Sequence, residues 1–139
     1  MSMTLLHGTT VEIDGLGIFI TGPSGSGKSD LAIRLMDRGA KLVADDYTEI
    51  LVVNNGLSAR PPQNIKGKIE ARGIGIIKVE NINQTDISIV VQLQEADEIE
   101  RMPETQNVTI EGVELPVVFL CAKHASSVAK LFLYLKSLE

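Results

Sequence analysis

The sequence predicts an α/β domain with a mixed, strand-rich sheet and few helices. Three observations carry this. Two strand-like runs meet at Asp14-Gly15, a glycine-rich stretch at 22–29 leads into a helix-spaced segment, and further strand runs continue to residue 120 before one helical tail.

The elements follow in order. Residues 4–13 read as a strand, Asp14-Gly15 as a tight turn, and Leu16 to Thr21 as a second strand, giving a β-hairpin directly before the glycine-rich stretch. Residues 29–38 put Leu31 and Leu35, flanked by Ala32 and Met36, on one helical face, and Gly39 reads as the stop. Lys41 to Ala44 form a short apolar strand running into Asp45-Asp46. Tyr47 to Val53 continue extended, Asn54-Asn55-Gly56 turns, and Arg60-Pro61-Pro62 interrupts. Residues 65–79, with Gly67, Gly73 and Gly75, read as loop plus strand. Ile87, Ile89, Val91 and Leu93 alternate with Ser88, Val90, Gln92 and Gln94 as a half-buried strand whose apolar residues share one face. Val108 to Ile110, Glu111-Gly112 and Val113 to Leu120 form another hairpin. Val128, Leu131, Phe132, Leu135 and Leu138 space the tail 124–138 as a helix, with His124 at its start as a capping or surface residue. No composition shift marks a boundary, so 1–139 reads as one domain.

Composition narrows the function. At 139 residues, 44% hydrophobic and 22% charged, the chain is of ordinary globular make-up. No apolar run approaches the roughly 20 residues of a membrane helix, and the start shows no signal-peptide pattern, so no membrane association is expected. The single cysteine, Cys121, forms no internal disulfide, which suits a reducing, cytoplasmic setting. A net charge of −5 argues against nucleic acid as partner, while leaving room for a local basic pocket.

The segment Gly22-Pro23-Ser24-Gly25-Ser26-Gly27-Lys28-Ser29 fits GxxxxGK[ST] without departure, between a predicted strand and a predicted helix. Backbone N–H groups of such a loop converge on anionic oxygens, and the helix start adds positive charge. Lys28 is placed to reach the β- and γ-phosphates and Ser29 to ligate Mg²⁺. The guanine-reading Asn-Lys-x-Asp is missing, so ATP is the expected nucleotide.

Leu42-Val43-Ala44-Asp45-Asp46, an apolar strand ending in acids, reads as a Mg²⁺-assisting element. Only one helix separates it from the loop, so its strand is expected close to the one before the loop. Successive strand residues point to opposite faces, so the two acids divide their work: one by the metal, one facing a substrate hydroxyl as base. His7 sits in the first strand of the hairpin. A two-residue turn at Asp14-Gly15 pairs Ile13 with Leu16, and extending that register sets His7 against Gly22, beside bound phosphate.

Together these residues resemble the HPr kinase/phosphorylase family. The resemblance rests on His7-Gly8, Ile18 through Ser29, Arg38-Gly39, Leu42 through Asp46, and Ile69-Glu-Ala-Arg-Gly-Ile-Gly-Ile-Ile77, in the family's order and spacing over roughly the first 80 residues. It implies a P-loop kinase domain of the HPr kinase/phosphoenolpyruvate-carboxykinase-like type, with a mixed sheet. It further implies transfer of phosphate from ATP with Mg²⁺ to a serine of HPr, the carrier protein of the sugar phosphotransferase system. Removal of that phosphate by phosphorolysis, taking inorganic phosphate and giving pyrophosphate, goes with it. By resemblance Lys28 binds phosphate, Ser29 and Glu70 are metal-site residues, and His7 is a catalytic-site histidine. Arg72 lies in the segment tied to both activities. Of the aspartate pair, Asp46 is favoured as base in phosphorylation and acid in the reverse, and Asp45 for metal duty. The chain resembles the short form found in α-proteobacteria, lacking an N-terminal domain, and a homo-oligomer is expected. One departure stands out: Leu115 through Lys123 lacks the arginine that the family carries there, so phosphorolysis is the part of the activity least carried over. The alternatives are a small-molecule P-loop kinase, which calls for more arginines than Arg60, Arg72 and Arg101 beyond the first helix, and a nucleotide-binding regulatory module without turnover.

Overall fold

The computed structural model describes residues 2–138. Its elements are β1 (Met3–His7), β2 (Thr9–Ile13), β3 (Leu16–Thr21), α1 (Lys28–Asp37), β4 (Lys41–Ala44), β5 (Tyr47–Val53), β6 (Gly56–Arg60), β7 (Lys68–Ala71), β8 (Gly75–Lys78), β9 (Thr85–Leu93), β10 (Gln106–Ile110), β11 (Val113–Leu120) and α2 (Ser127–Ser137). A curled, mixed nine-stranded sheet runs β1-β5-β6-β9-β3-β2-β4, and β9 also takes β11 as a parallel neighbour, which carries β10. β7 and β8 form a separate two-stranded hairpin.

Local chemistry explains these elements. Asp14 and Gly15 take positive φ, 52° and 79°, the pair of left-handed residues that lets a two-residue turn match strand twist. Asn54-Asn55 and Glu111-Gly112 do the same for the β5–β6 and β10–β11 hairpins. α1 ends where Gly39 adopts φ 107°: its N–H donates to the Met36 carbonyl, and that of Ala40 to Leu35, closing the helix with a left-handed residue.

Two apolar layers flank the sheet. On one side α1 and α2 bring Leu31, Leu35, Leu131 and Leu135 against Val11, Ile20, Ile89 and Val91. On the other, Phe19, Ile50, Leu57, Val90 and Val117 pack together. Each such fully buried side chain contributes roughly 1.5–3 kcal/mol.

The structure changes three sequence expectations about the fold. Residues 4–13 form two strands, because the chain leaves the β2–β3 hairpin at Gly8 and pairs β1 with β5. β9 does not keep its apolar residues on one face: Gly17 pairs with Ile87 but Ile18 with Ile89, so an extra residue, Ser88, enters β9. That bulge sends Ile87 to the Phe19 layer, while Ile89, Val91 and Leu93 face the helices. The tail helix begins at Ser127, and His124 lies in the preceding turn, accepting from the Ser127 N–H through its carbonyl (3.1 Å).

Candidate functional site

Residues 22–29 link β3 to α1. The Ser26 N–H bonds the Pro23 carbonyl (3.0 Å), and Gly27, at φ 99°, starts the helix with its carbonyl accepting from Leu31 (2.9 Å). A side chain does not fit at Gly27, where a Cβ would come within 2.9 Å of the Ala122 Cβ. Lys28 folds back under the loop, its Nζ donating to the carbonyls of Gly22 (2.9 Å) and Pro23 (3.1 Å). Burial pushes its pKa below the ordinary 10.5, against the opposing pull of Asp46 and then Asp45. The Ser26 hydroxyl oxygen is buried with no hydrogen-bond partner. The Ser26 hydroxyl and the first N–H groups of α1 therefore leave donors without acceptors, with the Lys28 ammonium beside them, the chemistry of an anion seat.

Beside the loop stand the two aspartates, which β4 delivers at its end. β4 is not next to β3; β2 lies between them, since β2 pairs with both. The acids also sit past the strand, in a turn. Asp46 has φ 67° and the Tyr47 N–H reaches back to the Asp45 carbonyl (2.7 Å), a three-residue γ-turn rarely adopted by a residue with a side chain. The turn, rather than strand alternation, divides the pair. Asp45 is buried. Its Oδ1 accepts from Ser29 Oγ (2.6 Å) and Thr9 Oγ1 (3.1 Å), and its Oδ2 from the Glu70 N–H (3.0 Å). Asp46 is exposed and holds His7 Nε2 at 3.0 Å from its Oδ1.

His7 does not face Gly22. The expected register holds from Ile13–Leu16 to Thr9–Ile20 and then stops. A Cβ on Gly8 would lie 2.7 Å from Phe19 Cζ and 2.9 Å from the Ile20 carbonyl oxygen, so only glycine lets the chain cross here. Beyond it His7 pairs with Tyr47, its ring 5.1 Å from the tyrosine ring, and meets Asp46 instead of the loop.

A cleft of about 370 Å³ is lined by Ser29, Asp45, Asp46, Glu70, and by Asn64, Ile65, Lys68, Ile69 and Ile76 from the 3-10 turn and the β7–β8 hairpin; of residues 22–29 only Ser29 lines it, and His7 does not. Arg72 is not among its lining residues; it occupies the exposed turn of that hairpin. Sequence reasoning missed Thr9 and Lys68. Thr9 left a trace, a hydroxyl residue in line with Val11 and Ile13, which mark the inward face of β2.

Comparison places this architecture. Its mixed-sheet α/β fold is that of the structure titled as the Hpr(Ser) kinase/phosphatase from Coxiella burnetii, at TM-score 0.86 and 26% identity over 97% of this chain and 95% of that one. Residues 1–133 match the family described as HPr Serine kinase C-terminal domain, and the chain belongs to that family. Among sequence relatives, the HPr kinase/phosphorylase of Limosilactobacillus reuteri (strain DSM 20016) is 38% identical over 138 residues, covering 89% of this chain and 42% of the relative. That of Clostridium beijerinckii is 45% identical over 92 residues, covering 66% and 30%. The chain thus spans less than half the length of either relative. Among the described residues no helix is long and apolar enough to cross a membrane.

The donors fit the Mg²⁺ that the family implies. Ser29 Oγ, Asp45 and Glu70 offer hard oxygens on one cleft. Among the described residues no group of three or more histidine, cysteine or acidic side chains is placed to hold a metal ion.

Proposed function

We propose that this chain is an ATP- and Mg²⁺-dependent kinase that phosphorylates a serine of HPr, with residues 22–29 seating the triphosphate and Asp46 serving as base. The observation that carries this is that Ser29, the last residue of the loop, and two aspartates in different states line one cleft, one aspartate buried and accepting three hydrogen bonds, the other exposed and paired with histidine. Serine is a weak nucleophile, and an exposed carboxylate beside it takes its proton as the hydroxyl attacks. His7, 3.0 Å from Asp46 Oδ1, holds one oxygen of that carboxylate in place, and the other is the one assigned to take the serine proton.

Lys28 serves the β/γ-phosphates by exchanging its two carbonyl partners for phosphate oxygens, and Ser26 Oγ gains a partner in the same step. Ser29, Asp45 and Glu70 are the residues that would hold Mg²⁺, which when bound supplies charge neutralisation at the phosphoryl oxygens. Arg72 lies in the exposed turn of the β7–β8 hairpin, and a role for it requires that hairpin to close over the substrate. In the reverse direction inorganic phosphate attacks the phosphoserine and Asp46 returns the proton to the serine oxygen, giving pyrophosphate. Family membership supports a homo-oligomer, and a free buried Cys121 accords with the cytoplasm.

The test is incubation with ATP, Mg²⁺ and HPr from the same organism, read by mass spectrometry for phosphoserine. Transfer to one serine is expected. No transfer, with ATP binding demonstrated in the same preparation, counts against the proposal.

A further inference from the structure

We propose that Thr9 is a positioning residue of this site, whose one hydroxyl sets both aspartates at once. The inference rests on the kinase reading above and deepens it.

Thr9 is fully buried, on the inward face of β2 in line with Val11 and Ile13. Packing alone would be served there by valine, which has the same shape; a buried hydroxyl needs partners to justify its desolvation. It has two. Oγ1 donates its only proton to Asp45 Oδ1 (3.1 Å) and accepts from the Asp46 N–H (3.2 Å). The two bonds do different things. The first completes the donor set on Asp45, with Ser29 and the Glu70 N–H supplying the others, and so fixes the carboxylate beside the serine placed for metal. The second holds the backbone of Asp46 in its γ-turn at φ 67°, an arrangement that persists only when its surroundings enforce it. That turn is what points the Asp46 carboxylate at His7. The neighbouring pair Thr10–Thr48 (2.9 Å) is bonded separately, with the Thr48 hydroxyl also placed 3.0 Å from the Gly8 carbonyl, so Thr9 acts on the aspartates without a relay.

The test compares Thr9→Val, which keeps shape and loses the hydroxyl, with Thr9→Ser, which keeps the hydroxyl and loses a methyl. For Thr9→Val, kcat for transfer to HPr should fall roughly 10- to 100-fold, with KM for ATP nearly unchanged at saturating Mg²⁺. The Mg²⁺ concentration that half-maximally promotes ATP binding, measured by calorimetry, should rise about 3- to 10-fold. Thr9→Ser should restore both. A residue that only fills space gives the opposite order, valine harmless and serine damaging. Should Thr9→Val not fold, the Thr9→Ala and Thr9→Ser pair differs by the hydroxyl alone and reads the same quantities. If the wild type moves no phosphate to HPr, the kinase reading fails, and Thr9 is judged by the Mg²⁺ dependence of ATP binding and by the φ of Asp46 in a crystal of Thr9→Val. A wild-type Mg²⁺ dependence with Asp46 still at positive φ overturns the proposal, as does a Thr9→Ser enzyme as impaired as Thr9→Val.

Discussion

Replacing Gly8 with alanine adds one methyl at the point where the chain crosses from the β2–β3 hairpin to the β1–β5 ladder. The new Cβ would lie 2.7 Å from Phe19 Cζ and 2.9 Å from the Ile20 carbonyl oxygen. Neither can yield easily. Phe19 is 1% exposed and packed against Ile50, Leu57 and Val90, and Ile20 belongs to a strand paired on both sides. The backbone at residue 8 must move instead, and it holds the site through two bonds: its N–H to the Asp46 carbonyl (2.8 Å) and its carbonyl to Thr48 Oγ1 (3.0 Å). Overpacking of this kind costs about 1–3 kcal/mol. For a chain of 139 residues that lowers the melting temperature by roughly 3–12 °C. The larger effect should be on chemistry. A shift of about 1 Å at His7 and Asp46 lowers kcat roughly 100-fold, whereas KM for ATP stays near wild type because residues 22–29 are untouched. Circular-dichroism melting and steady-state phosphate transfer to HPr read the two effects. A Gly8→Ala protein with wild-type melting temperature and wild-type kcat would refute the reasoning.

Other outcomes follow from the same geometry. Asp46→Asn should keep ATP affinity in calorimetry while slowing transfer roughly 10²- to 10⁴-fold, as loss of a general base does; if Asp45→Asn alone shows this pattern, the assignment of the pair is reversed. Lys28→Met should abolish measurable ATP binding by removing the cation at the β/γ-phosphates. The same substitution should alter the pH dependence of stability. Burial lowers the Lys28 pKa, so between that value and 10.5 the unfolded chain binds more protons than the folded one, and the lysine's contribution to stability rises with pH across this window. Urea unfolding across it should show that rise in the wild type and lose it in Lys28→Met. Phosphorolysis of phosphoserine-HPr, followed by pyrophosphate release, should be much slower than phosphorylation, since 115–123 supplies no arginine to the incoming phosphate; equal rates would show that another cation, with Lys68 on the cleft the first candidate, takes that role.

Much of this molecule was legible from local chemistry. The left-handed pairs Asp14-Gly15, Asn54-Asn55 and Glu111-Gly112 mark the hairpins because few residue types tolerate positive φ, and GxxxxGK[ST] announces its loop through the same restriction. That Asp45 and Asp46 stand in different surroundings was also legible, though the cause was not, since the γ-turn replaces the strand alternation that suggested it. What escaped was long-range. The transfer of His7 to β5 depends on Phe19 occupying the space beside Gly8, a contact between residues from different strands. The flip of Ile87 depends on a bulge opposite Gly17, and periodicity has no means of seeing one inserted residue. The insertion of β2 between β3 and β4 is topology, and it is what makes Thr9 a neighbour of both aspartates.

A crystal structure with Mg²⁺ and a non-hydrolysable ATP analogue bears most directly on the proposed site. The analogue should lie along 22–29 with Lys28 Nζ released from the Gly22 and Pro23 carbonyls onto phosphate oxygens, and with the terminal phosphate opening toward the Asp46 carboxylate. Nucleotide bound elsewhere, or Lys28 still on its two carbonyls while Asp46 faces away from the terminal phosphate, would contradict it.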